Sequence, residues 1–316
     1  MRILVTGASG FLGGRLAQYL AAQGHEVLLG SRRVRPDPDL GFKGQCVVMD
    51  WDDQPGLRAL CADVDLIVHA AGMNAQDCAR DPEAALAFNG EATARLTQAA
   101  VWAGVSRFVY LSTAHVYAAP LVGQITEDHP ALNPHPYATT HLAGEQSVQA
   151  ICQGTSTQAL SLRLSNAFGA PVYPEANCWV LLVNDLCRQS IETGGLRLGS
   201  SGIQHRDFLP ISTLCQKLGH LLDRPDWQAL GPCINFGSGL SVSVREMAEQ
   251  VQTCAEAFLG APCPLEYPAD RSGAASEPLV FTSARLTAPV KIAPDQLRAE
   301  LMDLLEFCQR HFEKIL

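Results

Sequence analysis

Over the first half of this chain, short apolar runs alternate with longer stretches in which apolar positions recur every three or four residues. Arg2-Ile3-Leu4-Val5 is the first run, and residues 26–31, 45–50, 65–70, 107–113 and 158–163 repeat it. Each run is short, and enough chain separates it from the next for a crossover. That is the signature of parallel strands covered by helices. Leu12, Leu16, Tyr19 and Leu20 fall at helical spacing before Gly24, and the longest helical patterns cover 83–103 and 137–152. The pattern predicts an α/β fold: a doubly wound parallel sheet of about seven strands. Beyond Phe168-Gly169 the alternation weakens, and prolines and glycines become frequent. A smaller, less regular second region is expected there, with a linker-like stretch at 262–278 and a last amphipathic helix at 294–312.

The junction between the first strand and the first helix carries the clearest chemistry. It reads Thr6-Gly7-Ala8-Ser9-Gly10-Phe11-Leu12-Gly13. Three glycines at such a junction let the backbone turn sharply and approach a ligand with no Cβ in the way. The helix that follows aims unpaired N–H groups and a positive dipole end at a phosphate. A strand before, a helix after and an N-terminal position make this a dinucleotide turn rather than a plain tight turn. Gly7, Ser9, Gly10, Phe11, Leu12 and Gly13 are the expected contacts.

The second strand ends Ser31-Arg32-Arg33. An acidic residue near this point would take a ribose 2′-hydroxyl, whereas arginine accommodates a 2′-phosphate. Serine stands where the acid would be, so NADP is expected, with NAD as the alternative. The competing reading is an exposed basic turn. Asp50, followed by Trp51, is placed to accept from an adenine amino group. Ala70, Ala71 and Gly72, after His69, leave room for the middle of the cofactor.

Composition narrows the class. The chain has 316 residues, 47% of them hydrophobic, so it can bury a large core. A net charge of -9 argues against nucleic acid or an anionic membrane as partner. No apolar run is long enough to span a bilayer, and the N-terminus enters a strand without a signal-peptide pattern. The eleven cysteines show no Cys-x-x-Cys spacing, and Cys46, Cys61, Cys152, Cys187 and Cys215 sit in apolar segments. They read as buried free thiols, with no disulfide framework, no metal site and a cytoplasmic location.

Taken together, the residues resemble the extended short-chain dehydrogenase/reductase superfamily, in its nucleotide-sugar epimerase/dehydratase group. The glycine turn, Asp50, His69-Ala70-Ala71-Gly72 and Asn89 carry the resemblance. So do Leu111-Ser112-Thr113-Ala114-His115-Val116-Tyr117, Arg163-Leu164-Ser165-Asn166-Ala167-Phe168-Gly169, Arg206-Asp207-Phe208 and Asn235-Phe236-Gly237-Ser238-Gly239. The resemblance implies a Rossmann-type domain over 1–165 with return segments near 205–240. A substrate lobe would comprise 166–204 and 241–316. It also implies a homodimer through the two long helices.

By the same resemblance, Tyr137 moves a proton while Thr113 orients the reacting oxygen. The family's Tyr-x-x-x-Lys reads Tyr137-Ala138-Thr139-Thr140-His141 here, and no lysine occurs between Lys43 and Lys217. His141 therefore takes the place of the residue that holds the nicotinamide ribose. Dehydratases of the group carry Asp-Glu after the threonine. Ala114 and His115 stand there instead, which argues against sugar 4,6-dehydration in its usual form. His115 is either a substrate-facing acid/base or a packed histidine. Asn166 and Arg206 match the group's nucleotide-diphosphate contacts, and Arg271 lies near a second phosphate arginine. A salt bridge from Arg206 to Asp207 is the competing role. The implied function is NAD(P)-dependent keto-reduction or epimerisation of a nucleotide-linked sugar. The alternatives are a catalytically impaired NADP-binding regulator or scaffold, and a reductase of a non-nucleotide carbonyl compound.

Overall fold

The computed structural model describes residues 1–33, 41–269, 277–286 and 292–313. Seven strands build the central sheet: β1 (Arg2–Thr6), β2 (Glu26–Ser31), β3 (Gln45–Val48), β4 (Leu66–His69), β5 (Arg107–Thr113), β6 (Gln158–Leu164) and β7 (Cys233–Phe236). Their order is β7-β6-β5-β4-β1-β2-β3, and every neighbouring pair is parallel. This is the expected doubly wound Rossmann-type sheet. The strand order reverses beside β1, so a crevice opens at the carboxyl ends of β1 and β4.

Alternate residues of each strand face opposite helical layers. Ile3 and Val5 pack on α1 (Phe11–Ala22) in one core, while Leu4 packs on the other face with Leu96, Phe108 and Tyr110. The second layer includes α2 (Thr93–Ala103) and α3 (Pro136–Cys152), which rest against each other. The single helix expected over 83–103 is instead three pieces: Pro82–Ala85, a π-helical segment Leu86–Ala92, and α2. The wider turn accompanies the burial of Asn89, which accepts from the Met73 N–H at 2.8 Å and donates to Thr140 Oγ1 at 3.1 Å.

A second hydrophobic core lies beyond the sheet, between α4 (Leu182–Thr193), α5 (Val244–Leu259) and α6 (Pro294–Phe312). The last helix has the expected bounds. Pro294 opens it, and Leu297, Leu301, Leu304, Leu305 and Cys308 form its buried stripe. Part of the expected linker is structured, since Leu265–Glu266 pairs in parallel with Leu196–Arg197. Cys46 is exposed because β3 is the sheet's edge strand, whereas the other ten cysteines are buried; none is paired. Among the described residues no helix is long and apolar enough to cross a membrane.

Candidate active site

The glycine turn shows why its residue types are required. Gly7 has φ +65°, and a Cβ there would lie 2.9 Å from the Ala70 carbonyl oxygen and the Ala71 backbone. A Cβ on Gly13 would sit 2.3 Å from the Gly7 oxygen, so α1 could not start so close to the turn. Gly10 is the N-cap of α1 and supplies no side-chain hydrogen bond, which leaves first-turn N–H groups free for an anionic ligand. A pyrophosphate fits this uncapped, Cβ-free corner.

At the carboxyl edge of the sheet lies a cavity of about 380 Å³. Phe11 and Leu12 of α1, the Ala70–Gly72 turn, Thr113, His115, Tyr137, His141, Asn166 and Arg206 all line it. Thr113 ends β5, and its hydroxyl accepts from the His115 N–H at 3.2 Å. Tyr137 is the second residue of α3, whose start is fixed by Pro136 and by the His135 ring accepting from the Tyr137 N–H at 3.1 Å. These two elements place Thr113 and Tyr137 together on the lining of this cavity. His141, one helical turn on, packs its ring edge-on to Tyr137 with centroids 4.6 Å apart.

Burial governs the electrostatics. It lowers the His141 pKa to about 4, so the ring is neutral near pH 7. Burial raises the Tyr137 phenol above its usual value, with the Thr113 hydrogen bond opposing in part. A lysine in place of His141 would stabilise phenolate; neutral His141 does not. His115 opens onto the cavity, and burial together with the Arg206 guanidinium lowers its pKa. Its ring faces Tyr137 at 6.4 Å.

Arg206 does not pair with Asp207. The Asp207 carboxylate is taken by the Ser165 hydroxyl at 2.5 Å and by the Ser238 and Gly239 N–H groups at 2.8 and 2.9 Å. Arg206 makes no ion pair among the described residues, and burial lowers its pKa. An unneutralised guanidinium on a cavity wall is suited to an anion. The Asn166 amide is anchored instead, donating to the Asp207 carbonyl at 3.0 Å.

The remaining expected contacts lie away from the cavity lining. Arg32 sits over the Phe88 ring at 5.9 Å, and Trp51 meets the same ring edge-on at 5.4 Å. Ser31 donates to the Arg33 carbonyl at 2.5 Å, and Asp50 accepts from the Asp52 N–H at 3.0 Å. Arg271 lies outside the described residues. Phe88 and Tyr110 were not anticipated. Both read as ordinary apolar positions in sequence, and only packing shows what they touch.

Residues 3–237 match the model of the NAD dependent epimerase/dehydratase family. The chain belongs to this family. Among its relatives is a UDP-glucose 4-epimerase of Streptomyces lividans, 29% identical over 95% of this chain and 93% of that one. A dTDP-6-deoxy-L-talose 4-dehydrogenase (NAD(P)(+)) of Kitasatospora kifunensis is 30% identical over 78% of this chain and 77% of its own. Among solved structures, MoeE5 in complex with UDP-glucuronic acid and NAD superposes with a TM-score of 0.78 at 26% identity. That match covers 98% of this chain and 99% of the other. Membership in a family of NAD-dependent enzymes fits the glycine turn and the cavity at the sheet's crevice.

Proposed function

We propose that this protein is an NADP-dependent oxidoreductase acting at a carbon of a nucleotide-linked sugar, with keto-reduction as the favoured direction. One observation carries the reading: a single cavity is lined by the Thr113 and Tyr137 hydroxyls and by the Arg206 guanidinium, which has no ion pair among the described residues. The nicotinamide cofactor, when bound, supplies or accepts the hydride. Tyr137 then delivers a proton to the carbonyl oxygen while Thr113 orients that oxygen. Arg206, with Asn166 beside it, holds the diphosphate of the sugar nucleotide. A phenol kept protonated by burial, beside a neutral histidine, is better prepared to give a proton than to take one. The relationship to a 4-dehydrogenase that uses NAD(P)(+) supports hydride exchange between such a cofactor and a nucleotide-linked sugar.

NADP is favoured over NAD by Ser31 in place of an acid and by Arg32 gathered with Trp51 around Phe88. Ten buried unpaired thiols suit the cytoplasm. We assign the dinucleotide to 1–165 with the return near 205–240, and the sugar to the lobe formed by 166–204 and 241–316. The second reading, a cofactor-binding protein without turnover, is favoured by the loss of the lysine charge at His141.

Purified protein mixed with NADPH and a panel of 4-keto nucleotide sugars tests the choice. Cofactor oxidation is expected, and Tyr137→Phe should slow it roughly 100-fold or more while leaving sugar-nucleotide affinity intact. Ligand that binds without any cofactor oxidation would establish the second reading instead.

A further inference from the structure

The geometry points to the buried Tyr110 hydroxyl as the group that fixes His141 in the tautomer presenting Nε2–H to the cavity, beside a second buried network that runs from the backbone of Ala70 and Ala71 through Thr6 and His69 to Thr93. Tyr110 is then a positioning residue for the site. The part His141 plays toward a cofactor rests on the function proposed above; its tautomer does not.

The direction of each link follows from counting protons. The Thr6 hydroxyl accepts from the N–H groups of Ala70 and Ala71, both at 3.2 Å. Both lone pairs are thereby used, so its single proton goes to His69 Nδ1 at 2.7 Å. His69 is 1% exposed, and burial holds it neutral, with its pKa at about 3. Its proton therefore lies on Nε2, which donates to Thr93 Oγ1 at 2.9 Å. Among the described residues the Tyr110 hydroxyl has one hydrogen-bond partner within 3.5 Å, His141 Nδ1 at 2.9 Å, and burial keeps the phenol protonated, so its proton goes to that nitrogen. A neutral His141 must then carry its proton on Nε2. That nitrogen lies toward Gly72, 3.8 Å from where a Gly72 Cβ would stand, and both residues line the cavity.

Packing holds these rings in place. The His69 and Tyr110 rings are 5.6 Å apart at 30°, and those of Tyr110 and His141 are 5.9 Å apart at 32°. Burial raises the Tyr110 phenol pKa, so it keeps its proton in the working pH range and orients His141 without conducting protons. The result is an uncharged N–H donor, fixed in direction, for a ribose hydroxyl beside Tyr137.

Nuclear magnetic resonance of the cofactor-free protein labelled with ¹⁵N-histidine tests this, with His141→Asn used to assign the signal. The expected spectrum shows His141 neutral and protonated on Nε2 alone. Tyr110→Phe, which removes the donor to Nδ1, should convert it to a mixture of both tautomers and weaken NADPH binding about 5-fold. A wild-type His141 protonated on Nδ1 or on both nitrogens overturns the inference, as does an unchanged tautomer in Tyr110→Phe. The wild-type spectrum alone decides the matter if that variant fails to fold. Because no cofactor is present, the tautomer result is independent of whether the protein reduces nucleotide sugars.

Discussion

Two buried neutral histidines make acid stability a property of individual residues. His69 and His141 titrate near 6.5 in an unfolded chain but have folded values lowered to about 3 and about 4. Between pH 6.5 and about 4 the unfolded state binds more protons, so stability falls as pH falls. Each ring contributes about 1.4 kcal/mol per pH unit through that window. Urea midpoints should be flat above pH 7 and decline steeply from pH 6.5 to 5. His141→Asn should flatten part of the slope, and a wild-type midpoint independent of pH over that range would contradict the assignment. The same burial explains what was hidden in sequence at this scale. His141 is visible as a departure from Tyr-x-x-x-Lys, but its neutrality depends on Tyr110, Gly72 and Tyr137, which come from three other places in the chain or on the helix. Likewise, sequence left Arg206 divided between Asp207 and a ligand. Ser165, Ser238 and Gly239 occupy the carboxylate, which leaves Arg206 without that ion pair.

Among the elements, the strand–turn–helix at the N-terminus was legible because its requirements are local. Glycine is demanded where φ is positive or where backbones nearly touch, and both conditions are met within seven residues. Gly13→Ala should therefore push α1 away from the turn. We expect at least 10-fold weaker NADPH binding by isothermal titration and a loss of about 1–3 kcal/mol in stability, because a methyl group 2.3 Å from the Gly7 oxygen has no space. Affinity equal to wild type would show that the turn is not the pyrophosphate grip. The π-helical segment Leu86–Ala92 was not legible. Its apolar spacing is compatible with a plain helix, and the inward turn of Asn89 is tied to Met73 and Thr140, which are distant in sequence.

At the scale of the molecule, the family resemblance implies pairing of two copies through the long helices. Leu86 and Trp102, exposed on Leu86–Ala92 and on α2, are large apolar positions that such pairing would cover. Light scattering should return twice the mass of one chain, and Trp102→Glu should shift the equilibrium toward the single chain. A wild-type protein of single mass at tens of micromolar would exclude the dimer.

The sequence alone determined the strand and helix periods, the parallel sheet, the glycine turn and the bounds of the last helix. Each of these is set by neighbours a few residues apart, through backbone sterics or one continuous apolar stripe. Tertiary structure alone decided which way the Asp207 carboxylate turns, that Cys46 lies on an open edge, and which hydrogen-bond partners His69, Tyr110 and His141 meet. Those outcomes depend on desolvation and on hydrogen bonds between residues up to 65 positions apart, as between Thr6 and Ala71, which only the folded chain brings together.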